Sequence, residues 1–192
     1  LNAAIDELNK DNEIRVVIFT GTGKIFAAGA NISHMAKMTP EEGYKMAELG
    51  QTTFAKLEKA RFISIAAFNG VAVGGGCEIG LACDLRLAVE KAKFAQPEVS
   101  IGLIPGWGGS RRLMRYMSKA KALEFILTGR IFSAQEAYDL GLLNKVVKED
   151  ENLLEEAEKL AEEILSKPPI AIQYAKEAFY ASYFGTDEEA EM

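Results

Sequence analysis

The stretch FISIAAFNGVAVGGGCEIGLACDLRL, residues 62–87, decides the fold. It predicts a buried strand, a turn at Asn69-Gly70, a short apolar segment, three consecutive glycines, a short helix over about residues 77–83, and another strand. One acid, Glu78, lies in the first turn of that helix among apolar residues. Because a buried carboxylate is costly unless it is paired, hydrogen-bonded or protonated, its presence there indicates a function rather than a contribution to stability.

The three glycines before Glu78 predict a place where backbone N–H groups can approach a ligand closely, because no Cβ is in the way. A helix N-terminus directs such donors, and the positive end of the helix dipole, toward a negative oxygen. Residues 74–78 therefore have the parts of an oxyanion hole beside an acid/base carboxylate.

Composition excludes several classes of protein. The chain has 192 residues, 48% of them hydrophobic, and a net charge of −6 with scattered Lys and Arg, which predicts one domain with an ample core and no basic surface for nucleic acid or an anionic membrane. The longest apolar run, residues 63–73, is too short to span a bilayer. One histidine, two cysteines and no CxxC or HExxH motif exclude a zinc or histidine-rich site, and cysteines that cannot pair locally indicate a reducing compartment.

Strand and helix patterns alternate along the chain, which predicts an α/β fold. The run IRVVIFT at residues 14–20 is typical of a strand that is covered on both faces. Thr39-Pro40-Glu41-Glu42 predicts a helix start, and residues 152–166 predict an amphipathic helix. A capping box is predicted between Ser133 and Glu136.

Three further segments leave alternatives open. The segment IFAAGA at residues 25–30 ends in small residues, which indicates either tight packing or backbone groups presented to a ligand at close range. Glu98 precedes an apolar, glycine-rich loop, and it either lies at the mouth of an apolar pocket or caps the helix that follows. The basic residues at 111, 112 and 115 either face solvent, lie near an acidic patch or contact a phosphate.

Five segments, taken in order, resemble the crotonase family, also called the enoyl-CoA hydratase/isomerase superfamily. They are FAAGA at 26–30, NGVAVGGGCE at 69–78, CDLRLA at 83–88, FAQPEVSIGLIPGWGGSRRL at 94–113 and LTGRIFSAQEAYDLGLLNKVV at 127–147. The resemblance covers nearly the whole chain, and several ordered motifs are far more specific than any one of them. It implies an α/β fold of the crotonase type, a ββα spiral in which each turn contains two strands and a helix.

The resemblance also implies a division of the chain. Residues 1–148 would form the spiral core that carries the active site. Residues 149–192 would begin a C-terminal helical region that covers the acyl site and builds a trimer or a dimer of trimers. A first strand and a loop that helps to hold the CoA phosphates would precede Leu1, and the C-terminal helices would be cut at Met192.

Position by position, the resemblance assigns roles to residues of this chain. The backbone N–H groups of Ala30 and Gly75 would form the oxyanion hole, and Glu78 and Glu98 would be the catalytic carboxylates. Retention of both acids is similar to the hydratase pattern, whereas related isomerases commonly keep an acid only at the second place. The remaining assignments are binding positions: Ala28, Ala30, Asn31 and Ile32 for coenzyme A, and Leu103 and Trp107 for the acyl pocket.

The activity implied is that of an enoyl-CoA hydratase, which adds water to a trans-2-enoyl-CoA thioester with syn geometry and forms a 3-hydroxyacyl-CoA in fatty-acid metabolism. No metal and no cofactor beyond the coenzyme A of the substrate are expected. The expected compartment is the cytoplasm, or the mitochondrial matrix in a eukaryote.

Other functions are alternatives to this one. Within the family they are a double-bond isomerase and a hydratase for an unusual acyl group. A dinucleotide-binding oxidoreductase is disfavoured because GGGCEI at residues 74–79 lacks the third glycine of the G-x-G-x-x-G pattern. A non-catalytic scaffold is disfavoured because it has no evident use for two acids in an apolar cleft.

Overall fold

The first six strands alternate between two sheets. The computed structural model describes residues 1–184. Its strands are β1 Val16–Thr20, β2 Ile25–Ala27, β3 Ile63–Phe68, β4 Val71–Val73, β5 Leu85–Val89, β6 Lys93–Ala95, β7 Phe132–Ser133 and β8 Lys145–Val147. One sheet has the order β1-β3-β5-β8, and the other has the order β2-β4-β6-β7 with only β7 antiparallel to its neighbour. Each early pair of strands places one strand in each sheet, so the chain advances as a spiral. This confirms the predicted crotonase-type ββα fold.

Helices connect the strand pairs and cover the sheets. They are α1 Asn2–Lys10, α2 Ile32–Met35, α3 Pro40–Glu58, α4 Gly75–Ala82, α5 Gly109–Tyr116, α6 Lys119–Thr128, α7 Ala134–Asp139, α8 Leu153–Leu165 and α9 Pro169–Phe184, with a short 3-10 helix at Glu98–Ile101. Helix α8 packs on the first sheet, where Ala157 and Ala161 share a buried cluster with Ile65 and Leu87. None of the helices within residues 1–184 combines the length and the apolar character that crossing a bilayer requires.

The predicted start of α3 is confirmed. Thr39 accepts a hydrogen bond from the N–H of Glu42, and the Glu42 carboxylate accepts one in return from the N–H of Thr39, which forms a complete capping box. At Ser133 only half of the predicted box forms. Ser133 accepts from the N–H of Glu136, but the Glu136 carboxylate binds the guanidinium of Arg130 instead, because an ion pair offers it two charge-assisted hydrogen bonds.

Stacked and edge-on aromatic rings fill the space between the two sheets. Adjacent ring centroids lie 4.1–5.5 Å apart along the chain of contacts from Phe26 through Phe68, Phe94 and Phe132 to Phe125. At these separations aromatic pairs attract each other beyond the effect of buried area. This row of rings ties the second sheet to the helices that follow it.

Two predicted boundaries shift. The strand predicted over residues 14–20 begins at Val16, because the N–H of Ile14 turns back to the carbonyl of Asp11. The helix predicted over residues 77–83 begins at Gly75, because the N–H groups of Cys77 and Glu78 both donate to the carbonyl of Gly74. Hydrogen bonding at the glycines, rather than hydrophobic pattern, therefore sets the start of α4.

A buried polar cluster attaches α9 to the sheet. The carboxylate of Asp84 accepts hydrogen bonds from the N–H and hydroxyl of Ser64 at 2.7 and 2.8 Å, from Nζ of Lys176 at 2.7 Å and from the hydroxyl of Tyr180 at 2.9 Å. The side chain of Lys176 is only 7% exposed. Because every donor converges on one carboxylate, Asp84 connects α9 to the core.

Replacing Asp84 by Asn is expected to destabilise the fold by about 3–5 kcal/mol, because it leaves a buried lysine without its counter-charge. Urea unfolding measures the loss. The control is Glu41→Ala, which removes an ion pair to Lys45 between side chains that are 77% and 69% exposed, and which should leave the unfolding midpoint nearly unchanged. Equal midpoints for the Asp84 variant and the wild type would contradict this role.

Candidate active site

The carboxyl ends of three neighbouring parallel strands define the candidate site. Strands β2, β4 and β6 are adjacent in the second sheet, and each is followed by a segment singled out in the sequence. The segment after β2 leads to Ala30, the segment after β4 contains Gly75, and the segment after β6 contains Glu98. Parallel strands place their carboxyl ends at one edge of a sheet, where ligands of open α/β folds bind. The topology therefore brings together residues up to 68 positions apart, from 30 to 98.

The glycine turn after β4 is held in a conformation that favours glycine. Gly74 has φ of +53°, and its N–H donates to the carbonyl of Ala95 at 3.0 Å. Gly75 is the first residue of α4, so its N–H has no acceptor within the helix. Within residues 1–184 the N–H of Gly75 donates to no other protein group. It is free to meet a ligand.

The segment after β2 lies directly against this turn. A Cβ on Gly76 would lie 2.0 Å from the carbonyl oxygen of Ala27, and a Cβ on Gly29 would lie 3.1 Å from the nitrogen of Gly75. The register between β2 and β4 is irregular at this point. Ala30 follows at once, half-buried, and among the described residues its N–H has no acceptor either. The two expected oxyanion-hole residues thus belong to backbone segments in contact.

Glu78 is 1% exposed and is held by the backbone of the loop before α5. Its Oε1 accepts hydrogen bonds from the N–H of Trp107 at 2.9 Å and from the N–H of Gly109 at 2.7 Å. Burial raises the pKa of Glu78, while these two N–H donors and the charge of Arg112 act against the increase. A carboxyl group whose pKa is raised in this way is suited to exchanging protons near neutral pH.

Glu98 is half-buried at the start of the 3-10 helix. A Cβ on Gly74 would lie 3.2 Å from its Oε1, so this carboxylate faces the glycine turn. Burial raises the pKa of Glu98, its own backbone N–H lowers it, and the charge of Glu78 raises it further. The N-cap position of this 3-10 helix is Pro97, and Glu98 is the first residue within the helix. The structure thus brings Glu98 close enough to Glu78 for the charge of one to act on the other.

Trp107 is wedged between two helices. A Cβ on Gly50 of α3 would lie 2.1 Å from its Cδ1, and a Cβ on Gly75 would lie 2.2 Å from its Cζ3. Its ring also meets Phe54 edge-on, with centroids 5.7 Å apart. Trp107 therefore lies beside the glycine turn, whereas Leu103, the other residue expected at the acyl pocket, is 41% exposed and donates its backbone N–H to the carbonyl of Glu98.

The other expected binding positions lie on the surface beside Ala30. Ala28 is exposed, and Ile32 is 58% exposed. The side-chain oxygen of Asn31 accepts a hydrogen bond from the N–H of His34 and caps α2. Within the described residues, no three His, Cys, Asp or Glu side chains are grouped closely enough to hold a metal ion.

Sequence reasoning missed two polar residues at this site, Gln96 and Glu58, and left the partner of a third, Arg112, open. Gln96 is fully buried. In the amide orientation that gives both its oxygen and its nitrogen a partner, the nitrogen donates to the two carboxylate oxygens of Glu98 at 3.0 and 3.2 Å. Glu58 and Arg112 form a buried ion pair beneath the loop. Glu58 had a detectable signal, since it lies four residues after Phe54, on the apolar face of α3. Gln96 had none, because its position before Pro97 suggests only a turn.

This spiral, with two acids beside a glycine turn, defines a protein of the crotonase type. The family model for enoyl-CoA hydratase/isomerase matches residues 1–191. The chain belongs to the enoyl-CoA hydratase/isomerase family, as the sequence motifs predicted.

Curated and solved relatives agree with the family. A probable mitochondrial enoyl-CoA hydratase of Dictyostelium discoideum is 46% identical over 98% of this chain and 67% of its own length. A short-chain-enoyl-CoA hydratase of Clostridium acetobutylicum is 44% identical over 93% of this chain and 68% of its own length. The crystal structure of an enoyl-CoA hydratase from Bacillus anthracis superposes with a TM-score of 0.92 at 40% identity and covers 98% of this chain and 73% of its own. This chain thus spans about two thirds of the length of these curated relatives.

Replacing Gly50 by Ala is expected to push the Trp107 ring out of its slot, because Gly75 closes the opposite side. Overpacking of this kind costs about 1–3 kcal/mol. Trp107 is the sole tryptophan, so its fluorescence emission should shift to longer wavelength. Gly43→Ala on the same helix is the control: its Cβ would meet nothing within 4 Å, and it should stabilise the protein by about 0.4–1 kcal/mol. Unchanged emission and stability in the Gly50 variant would show that the ring is not confined.

The raised pKa of Glu78 predicts a pH dependence of stability. Between the ordinary pKa of 4.5 and the raised value, the folded state binds more protons than the unfolded state, so the free energy of unfolding falls as pH rises through that window. The substitution Glu78→Gln removes this decrease in the free energy of unfolding. From about pH 4 to about pH 8, the melting temperature of the variant should rise relative to that of the wild type. A constant difference between the two would mean that burial does not perturb Glu78.

Proposed function

We propose that this protein is an enoyl-CoA hydratase that adds water across the double bond of a trans-2-enoyl-CoA thioester and forms a 3-hydroxyacyl-CoA. The single observation that carries the proposal is the position of two carboxyl groups with raised pKa values, Glu78 and Glu98, at a glycine turn with unused N–H donors. Membership of the enoyl-CoA hydratase/isomerase family supports it.

The N–H groups of Ala30 and Gly75 would bind the thioester oxygen. When water adds at Cβ, negative charge moves onto that oxygen as an enolate. Donors already in place stabilise this charge without reorganisation, and losing one such donor typically costs about 3–4 kcal/mol of barrier. Gly75 adds the positive end of α4, which favours the same negative charge.

The two acids would divide the proton transfers. Glu78 would orient the water and take its proton, and Glu98 would deliver a proton to Cα. Raised pKa values bring both carboxyl groups closer to the working pH, where an acid and a base are both effective. Because the charge of Glu78 raises the pKa of Glu98, the two titrate as a pair rather than independently. The proposed chemistry uses no metal and no cofactor beyond the coenzyme A of the substrate.

The substrate would enter past the exposed segment after β2. Backbone groups of Ala28, Ala30, Asn31 and Ile32 would contact the coenzyme A part. The acyl chain would lie toward Trp107, whose ring borders Gly75, with Leu103 farther out on the same loop. This arrangement places the thioester carbonyl between the solvent-facing segment and the buried acids.

We also propose that the protein forms a homo-oligomer, a trimer or a dimer of trimers, with residues 149–192 beginning the helical region that takes part in assembly. Residues 185–192 of that region lie outside the described residues. The proposed compartment is the cytoplasm, or the mitochondrial matrix if the source is eukaryotic; the Dictyostelium relative is named as mitochondrial.

Glu78→Gln and Glu98→Gln are each expected to lower kcat for hydration of crotonyl-CoA by about 10²–10⁴-fold, because each removes a positioned proton donor or acceptor. KM should change little, since neither carboxyl group would hold coenzyme A. Loss of the enoyl-thioester absorbance measures the rate.

The matched control is Glu90→Gln, an exposed acid outside the cleft, which should turn over like the wild type. Near-normal turnover by either cleft variant would refute the two-acid scheme. If the wild type instead converts 3-enoyl-CoA to 2-enoyl-CoA without hydrating it, the family's isomerase reaction replaces the hydratase.

A further inference from the structure

Helices α3 and α5 share a buried ion pair that the proposed reaction does not use. Nε and Nη2 of Arg112 donate to the two oxygens of Glu58 at 2.9 and 2.7 Å, in the two-pronged geometry that arginine favours. Arg112 is 1% exposed and Glu58 is 4% exposed. Arg111 at 3.0 Å and Arg115 at 3.7 Å also face this acid.

Arg112 holds the loop that holds Glu78. Its remaining nitrogen, Nη1, donates to the carbonyl oxygen of Trp107 at 2.7 Å. A Cβ on Gly108 would lie 2.3 Å from the same Nη1, so the loop passes directly over the guanidinium group. The N–H groups of Trp107 and Gly109, on either side of Gly108, are the two that donate to Glu78. One peptide segment thus contacts the ion pair with its carbonyl and the acid with its amides.

A second contact fixes the near end of the loop. Nε2 of Gln51 donates to the carbonyl of Gly106 at 2.8 Å, which ties the loop to α3 next to Gly50. Gln51 is exposed, however, and a single neutral hydrogen bond of this kind contributes only about 0.5–1.5 kcal/mol. The buried, charged contact from Arg112 is the stronger restraint on the peptide groups that face Glu78.

We propose that Glu58 and Arg112 are positioning residues for Glu78: they fix residues 107–109 so that two N–H groups converge on the Glu78 carboxylate. This inference rests on the proposed function, in which Glu78 transfers a proton. The chain of contacts runs from Glu58 through Arg112 and the loop to Glu78, and each link is a hydrogen bond of 2.9 Å or less.

A role in stability alone explains this pair poorly. A buried ion pair loses its hydration, and replacing one by apolar residues of similar volume is often neutral or stabilising. A buried polar network is useful where the structure must hold its groups in one particular arrangement. Here that arrangement is the direction of two peptide N–H groups, and small errors in direction are costly to catalysis.

The principal test is Arg112→Lys, which keeps the positive charge but loses the two-pronged contact and the reach to Trp107. Glu58 keeps Arg111 and Arg115 nearby, so the variant is not left with an unpaired buried acid. We expect kcat on crotonyl-CoA to fall by about 10- to 100-fold with little change in KM. Emission from Trp107, the sole tryptophan, should shift to longer wavelength as the loop loosens.

The pH profile separates positioning from electrostatics. The charged and titratable groups that act on Glu78 in the described part of the chain are Arg112 and Glu98, and Cys77 beside it is a buried thiol whose pKa is raised. Glu58→Gln removes a negative charge, which alone would lower the pKa of Glu78. Loss of the N–H donors would raise it. We expect the acidic limb of kcat/KM to move to higher pH in both variants.

The matched control is Arg86→Lys. Arg86 is also buried and donates to the backbone carbonyls of Leu142 at 2.7 Å and Cys83 at 2.5 Å and to the hydroxyl of Tyr116 at the end of α5, and none of these groups belongs to residues 106–109. This variant should lose stability while keeping the wild-type kcat, acidic limb and Trp107 emission. If it shifts all three as Arg112→Lys does, the effects report general destabilisation, and the positioning role is wrong.

The remaining outcomes distinguish this inference from the proposed function. If the wild type hydrates crotonyl-CoA but Arg112→Lys keeps its kcat, acidic limb and emission, the positioning role fails and the function stands. If the wild type hydrates no enoyl thioester, the function fails. The pKa of Glu78, measured by NMR of ¹³C-labelled glutamate in wild type and variant, then decides the inference: a higher pKa in Arg112→Lys supports it, and an equal pKa overturns it.

Discussion

A buried carboxylate needs hydrogen-bond donors, and the candidate site depends on the donors that contact Glu78. Its Oε1 accepts two hydrogen bonds from the backbone of residues 107–109. Burial raises its pKa and these amides restrain the increase, so the balance between the two sets how readily the group exchanges a proton. The loop that supplies the amides is restrained in turn by a guanidinium group below it and by the wedged ring of Trp107.

The spiral topology explains why this carboxylate lies near the N–H groups that we propose as an oxyanion hole. Strands β2, β4 and β6 are neighbours in one sheet, and each strand returns there only after the chain has crossed the other sheet. Their carboxyl ends therefore collect Ala30, Gly75 and Glu98 at one edge. Close approach of the first two segments needs glycine, because a Cβ at Gly76 would overlap the carbonyl of Ala27.

Parts of the site could be predicted from particular residues, and parts could not. The glycines and the lone acid after them indicated an oxyanion hole beside a carboxylate, and the structure has Glu78 buried in the first turn of the helix that the glycines begin. The sequence left Glu98 open between a pocket and a helix cap, and the structure shows its carboxylate facing the glycine turn at Gly74. The basic residues after the loop had several possible partners in the sequence analysis. In the structure Arg112 forms an ion pair with an acid, Glu58.

The sequence by itself determined the local features of the structure. These are the alternation of strands and helices, the capping box at Thr39, the glycine turn and the acid that follows it. These features depend on neighbours a few residues away, so their period, caps and glycines are visible in the printed chain. Only the tertiary structure decided that Glu58 would meet Arg112, 54 residues later, and that Gln96 would lie against Glu98 rather than in a surface turn. The ion pair joins two helices that are distant in the chain, and the burial of Gln96 depends on the elements packed around it, so no local pattern of residues specifies either.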